Sequence, residues 1–98
     1  MTFEFHPDAL QEYHEAGRWY EEQRHLLGVE FTRAIEAAIA EILRDPQRFQ
    51  PAGQSIRIYR LKRFPYYIFF KCSTRPDHVR IVALSHRKRR PDYWRDRV

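Results

Sequence analysis

The densest group of chemically capable residues lies near the C-terminal end of the sequence. Residues 86–98 bring together a histidine, several cations and two aromatic residues: His86, Arg87, Lys88, Arg89, Arg90, Tyr93 and Trp94. Cations and aromatic rings together suit a nucleic-acid backbone and its unstacked bases. In a second interpretation, Tyr93 and Trp94 pack on the fold and the arginines are only solvated. Because charge runs are weak evidence of a partner, the pattern alone favours the second interpretation.

Other kinds of site find little support in the sequence. The five histidines show no paired ligand spacing, so we expect no metal and no cofactor. Cys72 is the only cysteine, which excludes an internal disulfide. Ser85 and His86 are neighbours on a predicted strand and point to opposite faces, so they cannot pair as nucleophile and base. What remains is metal-free chemistry, such as cleavage of RNA through its own 2′-hydroxyl with cations stabilising the phosphate.

Composition and charge narrow the classes of protein further. The 98 residues are 43% hydrophobic, which predicts one folded domain over 1–98 with a basic tail at 86–98. Residues 1–45 carry a net charge of −6 and residues 46–98 one of +11, so the second half should face a polyanionic partner. The longest apolar run is Tyr66–Phe70, too short for a membrane span. We expect a cytoplasmic protein without a membrane partner.

The first half of the sequence predicts a strand and a helical hairpin. Thr2–His6 alternates apolar and polar residues as a short strand does. Pro7 and Asp8 favour the first turn of a helix, and Leu27–Gly28 is predicted to form the turn into a second helix. That helix should end before Pro46, because proline disfavours a helical residue before it. Its apolar stripe should form the core: Phe31, Ile35, Ala38, Ile39 and Ile42.

Three further runs have the composition of strands. They are Ile56–Leu61, Tyr66–Cys72 and His78–Ser85. The short connections at 63–65 and 74–77 predict an antiparallel meander. We therefore predict an α+β fold, in which an N-terminal strand, a helical hairpin and this meander form one mostly antiparallel sheet of about four strands with the helices on one face.

Alternation along the strands separates two faces of the predicted sheet. It places Ile56 and Ile58 on one face and Arg57 and Tyr59 on the other. In the next strand, it places Tyr66, Ile68 and Phe70 on the same face as one another. We assign the isoleucine face to the helices. The opposite face would then present arginine, tyrosine and lysine as a binding surface.

This order of elements resembles the RelE/ParE superfamily of bacterial toxins from type II toxin–antitoxin modules. The resemblance spans essentially the whole chain. Its most specific pieces are His6-Pro7-Asp8-Ala9, Trp19-Tyr20, Arg57, Phe64-Pro65-Tyr66-Tyr67-Ile68 and the ending from His86 to Trp94. The resemblance implies a RelE/ParE-like fold and a growth-inhibiting toxin, and it favours a functional tail over a merely packed one.

The RelE-like branch implies a metal-independent endoribonuclease that cuts messenger RNA on the ribosome. Such members use basic residues on the meander, where Arg57 lies, together with an arginine after the last strand and a tyrosine six residues later. Arg87 and Tyr93 match that last pair. Many RelE-like toxins have an arginine where this chain has Tyr67, so a phosphate-binding cation is missing.

The ParE-like branch implies a toxin that poisons DNA gyrase, often linked to plasmid stabilisation. Such members often end the last strand with leucine and histidine and carry an arginine three residues beyond the histidine. Leu84, a Ser85 insertion, His86, Arg89 and Pro91 approximate this pattern. We favour the ParE-like interpretation, with the RelE-like nuclease as the alternative and a nontoxic basic interaction module as a third.

Taken together, the two branches imply a set of candidate residues and a protein partner. The candidate toxicity residues are Arg57, His86, Arg87, Arg89 and Tyr93, with Tyr67 in place of the family arginine. The implied constitutive partner is a cognate antitoxin, bound in a toxin–antitoxin hetero-oligomer, and the implied target is DNA gyrase or the ribosome with its messenger RNA.

Overall fold

Two helices lie on one face of a five-stranded sheet in the computed structural model, which describes residues 1–73, 75 and 77–98. The strands are β1 (Thr2–Phe5), β2 (Gln50–Gly53), β3 (Ile56–Arg60), β4 (Tyr66–Cys72) and β5 (His78–His86). The α-helices are α1 (Pro7–Gln23) and α2 (Leu27–Arg44), and short 3₁₀ helices lie at Pro46–Arg48 and Arg95–Arg97. The sheet order is β1-β5-β4-β3-β2, with β1 parallel to β5 and every other pair antiparallel. The predicted α+β class is confirmed. Among the described residues, no helix has the length and apolar character that crossing a membrane requires.

The first helix starts where the sequence predicts. Pro7 occupies its first turn, where a missing backbone N–H costs nothing. The His6 imidazole accepts a hydrogen bond from the Asp8 backbone N–H at 3.0 Å, so a histidine acts as the cap. The helix then buries Ala9, Ala16 and Tyr20 toward the sheet.

The turn between the helices lies earlier than predicted. Leu26 takes the left-handed conformation, with φ of 68°, and Gly28 lies inside the first turn of α2. A Cβ atom at Gly28 would meet the Gly17 carbonyl oxygen at 2.6 Å, so this glycine serves a close approach of the two helices rather than a turn. The Glu21 carboxylate accepts from the Leu26 and Gly28 N–H groups at 3.0 and 3.1 Å and thereby caps α2.

The main core lies between the helices and the sheet. The predicted stripe of α2 is buried there: Phe31, Ile35, Ala38, Ile39 and Ile42. From the sheet it meets Ile68, Phe70, Val79, Ile81 and Leu84. The face that we predicted for β4, with Ile68 toward the helices, is therefore confirmed.

The assignment of Ile56 and Ile58 to the helices is wrong. Both side chains lie on the other face of the sheet, in a second buried cluster with Phe69, Val82 and Trp94. Cross-strand pairing fixes this placement, because Ile58 is opposite Phe69 in the register of β3 and β4. Alternation separates two faces without saying which one meets the helices, and here both faces are apolar because the tail covers the second.

Two irregularities of the sheet escaped the sequence prediction. β2 adds a fifth strand at the edge, where Pro51 is tolerated because an edge strand leaves one side unpaired. In β5, Val82 is an extra residue between the pairs Phe69 with Ala83 and Phe70 with Ile81. The bulge directs both Val82 and Ala83 into the second cluster. Thr74 and Pro76 of the predicted turn at 74–77 lie outside the described residues.

Candidate functional site

The tail, residues 86–98, packs against the face of the sheet that faces away from the helices. Where the tail leaves β5, the Arg87 backbone N–H donates a hydrogen bond to the Pro65 carbonyl oxygen at 2.9 Å. Further along, the Trp94 indole packs on the Phe69 ring with centroids 5.1 Å apart and is only 2% exposed. The geometry thus shows the packed arrangement of Trp94, while the cations from Arg87 to Arg90 stay exposed.

The tail and the sheet together form a cleft of about 380 Å³, here called the arginine cleft. Its lining includes four residues with charged or hydroxyl-bearing groups and two buried rings: Arg60, Tyr67, Arg87, Arg89, Phe69 and Trp94. The Arg60 guanidinium lies over the Tyr67 ring, 5.5 Å from its centroid, and donates to the Gln50 side-chain oxygen at 2.9 Å. Arg60, on the neighbouring strand, therefore places a cation next to Tyr67, the position at which many RelE-like toxins have an arginine.

A second opening adjoins the arginine cleft and extends its positive charge. It shares Arg60, Tyr67 and Arg87 with the cleft and adds Lys62 and Arg63 from the loop between β3 and β4. Arg63 already forms an ion pair with Glu30, and an anionic group that binds among Arg60, Lys62 and Arg87 would reduce the repulsion among their charges. The arrangement therefore suits recognition of carboxylates or phosphates.

Tyr93 lies beside the cleft with its hydroxyl already committed. That hydroxyl donates to the Glu12 Oε2 atom at 2.8 Å, and the Arg89 guanidinium lies 3.7 Å from the centroid of the ring. Burial, and then the adjacent Glu12 charge, raise the pKa of Tyr93 to about 12. A phenol held in this way is poorly placed to exchange a proton with a substrate near neutral pH.

His86 lies at the end of β5 and lines the arginine cleft, while its ring also packs on the helix side of the sheet. The imidazole packs edge-on against Tyr66, with centroids 5.3 Å apart, and Tyr66 in turn contacts Phe31 of α2. The Nδ1 atom accepts from the Lys88 backbone N–H at 3.1 Å. The imidazole therefore packs with residues of the helix face, and Nδ1 serves the backbone of the following turn.

Arg57 is not brought to the cleft. Its guanidinium donates to the Phe49 carbonyl oxygen at 2.6 Å and to the Gln47 side-chain oxygen at 3.0 Å. These contacts hold the segment after α2 against the sheet. Of the five candidate residues, the structure gathers His86, Arg87 and Arg89 in the lining of the cleft, with Tyr93 beside them, and separates Arg57.

Sequence reasoning missed Arg60, Glu12 and Arg97. Arg60 shares its face with Tyr67 because the two are cross-strand partners, which no local pattern reveals. Glu12 had a signal, since it lies three residues after the buried Ala9 and four before the buried Ala16 and so falls within the buried stripe of α1. A carboxylate there requires a partner, and Arg97 supplies it.

Comparison with known proteins gives one family and one fold. The family model described as "ParE toxin of type II toxin-antitoxin system, parDE" matches residues 3–91. A solved chain of the chromosomal ParDE TA system from P. aeruginosa has a similar structure, with a TM-score of 0.63 and 13% identity. That match covers 88% of this chain and 95% of the other, and at this identity it shows the fold alone. No curated protein matches this sequence significantly.

Proposed function

This chain belongs to the ParE toxin family of type II toxin–antitoxin systems, and from that premise we propose that it inhibits growth by binding DNA gyrase through the arginine cleft. Membership implies a cognate antitoxin as its partner. We further propose that the two form a hetero-oligomer in the cytoplasm, where gyrase acts.

One observation carries the choice of a binder over an enzyme. The cleft gathers cations from two segments, Arg60 of β3 and Arg87 and Arg89 of the tail, and the groups near it that could move a proton are held by other contacts. The Tyr93 hydroxyl donates to Glu12. His86 lines the cleft, but its ring packs against Tyr66 and its Nδ1 atom accepts from the Lys88 N–H. Positive charge beside acid–base groups that are engaged elsewhere supports recognition of an anionic surface.

The RelE-like nuclease remains the second candidate because of the same cations. Arg60 lies next to Tyr67 and could stabilise phosphate charge in place of the family arginine. Cleavage would also need a proton donor for the leaving oxygen, and Tyr93 would have to leave Glu12 to become one. We therefore expect no transcript cleavage on translating ribosomes, either by the parent protein or by the Tyr67→Arg variant.

The proposal is tested by gyrase supercoiling assays with purified protein. Arg87→Ala and Arg89→Ala should each raise the concentration for half-maximal inhibition by roughly tenfold, since tenfold corresponds to about 1.4 kcal/mol of lost contact energy. Arg75→Ala is the matched control, because it removes one exposed arginine at the opposite end of β4 and β5. It should inhibit as the parent does.

Induction of the chain in bacterial cells separates the three candidate functions. Filamentation with DNA-damage signalling supports the gyrase proposal. Rapid arrest of translation with cut transcripts would contradict it and support the nuclease, and normal growth would support the nontoxic module. Deletion of the whole tail is a poor test, because it also removes Trp94 from the second buried cluster and exposes Ile58 and Phe69.

A further inference from the structure

One edge of β5 is completed by side chains instead of a strand. The pairing of β1 with β5 ends at Phe5 and Ile81. Beyond that point, the Leu84 N–H donates to the Glu12 Oε1 atom at 3.0 Å, and the Val82 carbonyl accepts from Arg97 at 3.2 Å. Glu12 comes from α1 and Arg97 from the tail, so this edge joins the helix, the sheet and the tail.

Glu12 is the centre of these contacts. The Arg97 Nη1 and Nη2 atoms bind its two oxygens at 2.9 and 3.0 Å in a bidentate pair. The Tyr93 hydroxyl donates to the same carboxylate at 2.8 Å, and Arg89 approaches it at 3.4 Å. The Glu12 and Arg97 side chains are only 13% and 10% exposed, so solvent screens this pair weakly.

The four cations at 87–90 lie between two points at which the tail is held to the rest of the molecule. They are exposed and consecutive, so their mutual repulsion favours a spread and mobile turn. The backbone bond from Arg87 to Pro65 holds the turn at its start. The contacts of Tyr93 and Arg97 with Glu12 hold it at its end, together with the packing of Trp94.

The tail residues that contact Glu12 and the second buried cluster lie beyond the region that the family model describes, whereas Glu12 lies inside it. The family match ends at residue 91, whereas Tyr93, Trp94 and Arg97 follow it. The pairing of Glu12 with Tyr93 and Arg97 therefore follows from the contacts of this chain and not from the family match.

We propose that Glu12 is a positioning residue, which docks the tail on α1 and thereby fixes Arg87 and Arg89 at the rim of the arginine cleft. Its effect on gyrase rests on the proposed function, whereas its effect on the tail does not. Removing its charge should release the tail while the main core stays folded, because that core is formed by other residues.

The test uses Trp94 as a reporter in a Trp19→Phe background, since the chain has two tryptophans and Trp19 is 55% exposed. In this background, Glu12→Gln should shift Trp94 emission to longer wavelength and increase its quenching by acrylamide. Trypsin should also cut faster after Arg87, Lys88 and Arg89, because a released turn reaches the protease more often. Far-UV circular dichroism should stay close to that of the parent.

Two further variants keep the result interpretable. Glu15→Gln is the matched control, because Glu15 is an exposed glutamate further along α1 that contacts Gln11; it should change neither Trp94 nor the trypsin rate. Arg97→Met breaks the bidentate pair from the other side and keeps a long apolar stem. It should reproduce the release of the tail even if Glu12→Gln folds poorly.

Inhibition of gyrase then tells whether docking positions the arginines. Glu12→Gln and Arg97→Met should raise the half-inhibitory concentration by about tenfold, as loss of a properly placed cation would. Unchanged Trp94 quenching and trypsin rates would overturn the proposal, and so would a released tail that inhibits as the parent does. If the parent itself does not inhibit gyrase, the proposed function fails, and the trypsin rate alone decides whether Glu12 positions the turn.

Discussion

At the scale of single residues, hydroxyl and carboxylate pairs decide which groups remain available for chemistry. Tyr93 donates to Glu12, and Tyr59 donates to Glu41, both at 2.8 Å. Burial and the neighbouring carboxylate raise the pKa of each phenol to about 12. Residue types that suggest acid–base catalysis in the sequence therefore serve as structural donors in the fold.

These pKa values predict the alkaline behaviour of the protein. A phenol with a pKa near 12 when folded and about 10 when unfolded contributes stability that is fully present below pH 10. That contribution is lost as the pH rises through 12. Tyr93→Phe should therefore reduce the fall in melting temperature between pH 10 and 12, and an ultraviolet titration should show one fewer phenol ionising near 12.

Tyr59→Phe gives the comparison, because its partner is Glu41 instead of Glu12. It should also remove one late-titrating phenol while leaving the tail docked. The difference between the titrations of the parent and of Tyr93→Phe gives the pKa of Tyr93. A value near 10 would show that the hydrogen bond between Tyr93 and Glu12 does not persist in solution.

At the scale of elements, the helical hairpin depends on two glycines with different roles. Gly28 lies against the backbone of α1, where a Cβ would meet the Gly17 oxygen at 2.6 Å. Gly17 has room, since the nearest atom to an added Cβ is the Thr32 hydroxyl oxygen at 3.9 Å. The close approach of the helices therefore requires glycine at position 28, whereas position 17 has room for a larger residue.

The difference predicts opposite effects of the same substitution. Gly28→Ala should lower the free energy of unfolding by about 1–3 kcal/mol, the usual cost of overpacking. Gly17→Ala should raise it by up to ~1 kcal/mol, because alanine favours the helix interior over glycine. Urea denaturation of the two variants measures both changes, and equal effects would show that the helices do not approach each other as described.

At the scale of the whole molecule, charge divides the chain unevenly. Residues 1–45 carry −6 and residues 46–98 carry +11. The tail joins the two parts, since Arg97 and Arg89 contact Glu12 of the acidic part. The remaining cations around the arginine cleft face solvent, which leaves a positive surface for partners.

This asymmetry predicts how the cognate antitoxin binds. The antitoxin segment that crosses the basic surface should be net acidic, and the dissociation constant should rise as salt is added, because screening acts over about 10 Å at 0.1 M. Titration calorimetry at several salt concentrations measures this, with a nonionic osmolyte as the control. Salt-independent binding, or a basic antitoxin segment, would contradict this prediction and would indicate that apolar contacts hold the antitoxin.

Periodicity and proline placement in the sequence were enough to determine the two helices of this protein and their outer ends, though not the turn between them. The stripe of Phe31, Ile35 and Ile42 specified the buried face of α2, and Pro7 and Pro46 marked helix limits, because these signals depend on neighbours along the chain. Cross-strand register, which joins distant residues, decided the rest.

Only the tertiary structure showed which face of β3 meets the helices and which candidate residues share a site. Alternation defines two faces of a strand but does not orient them, and Trp94 of the tail made the second face of the sheet a core. In the same way, Tyr93 was recognisable as a chemically capable residue, but its partner Glu12 lies 81 positions away. Sequence patterns report local geometry, whereas a site depends on distant segments that meet only when the chain folds.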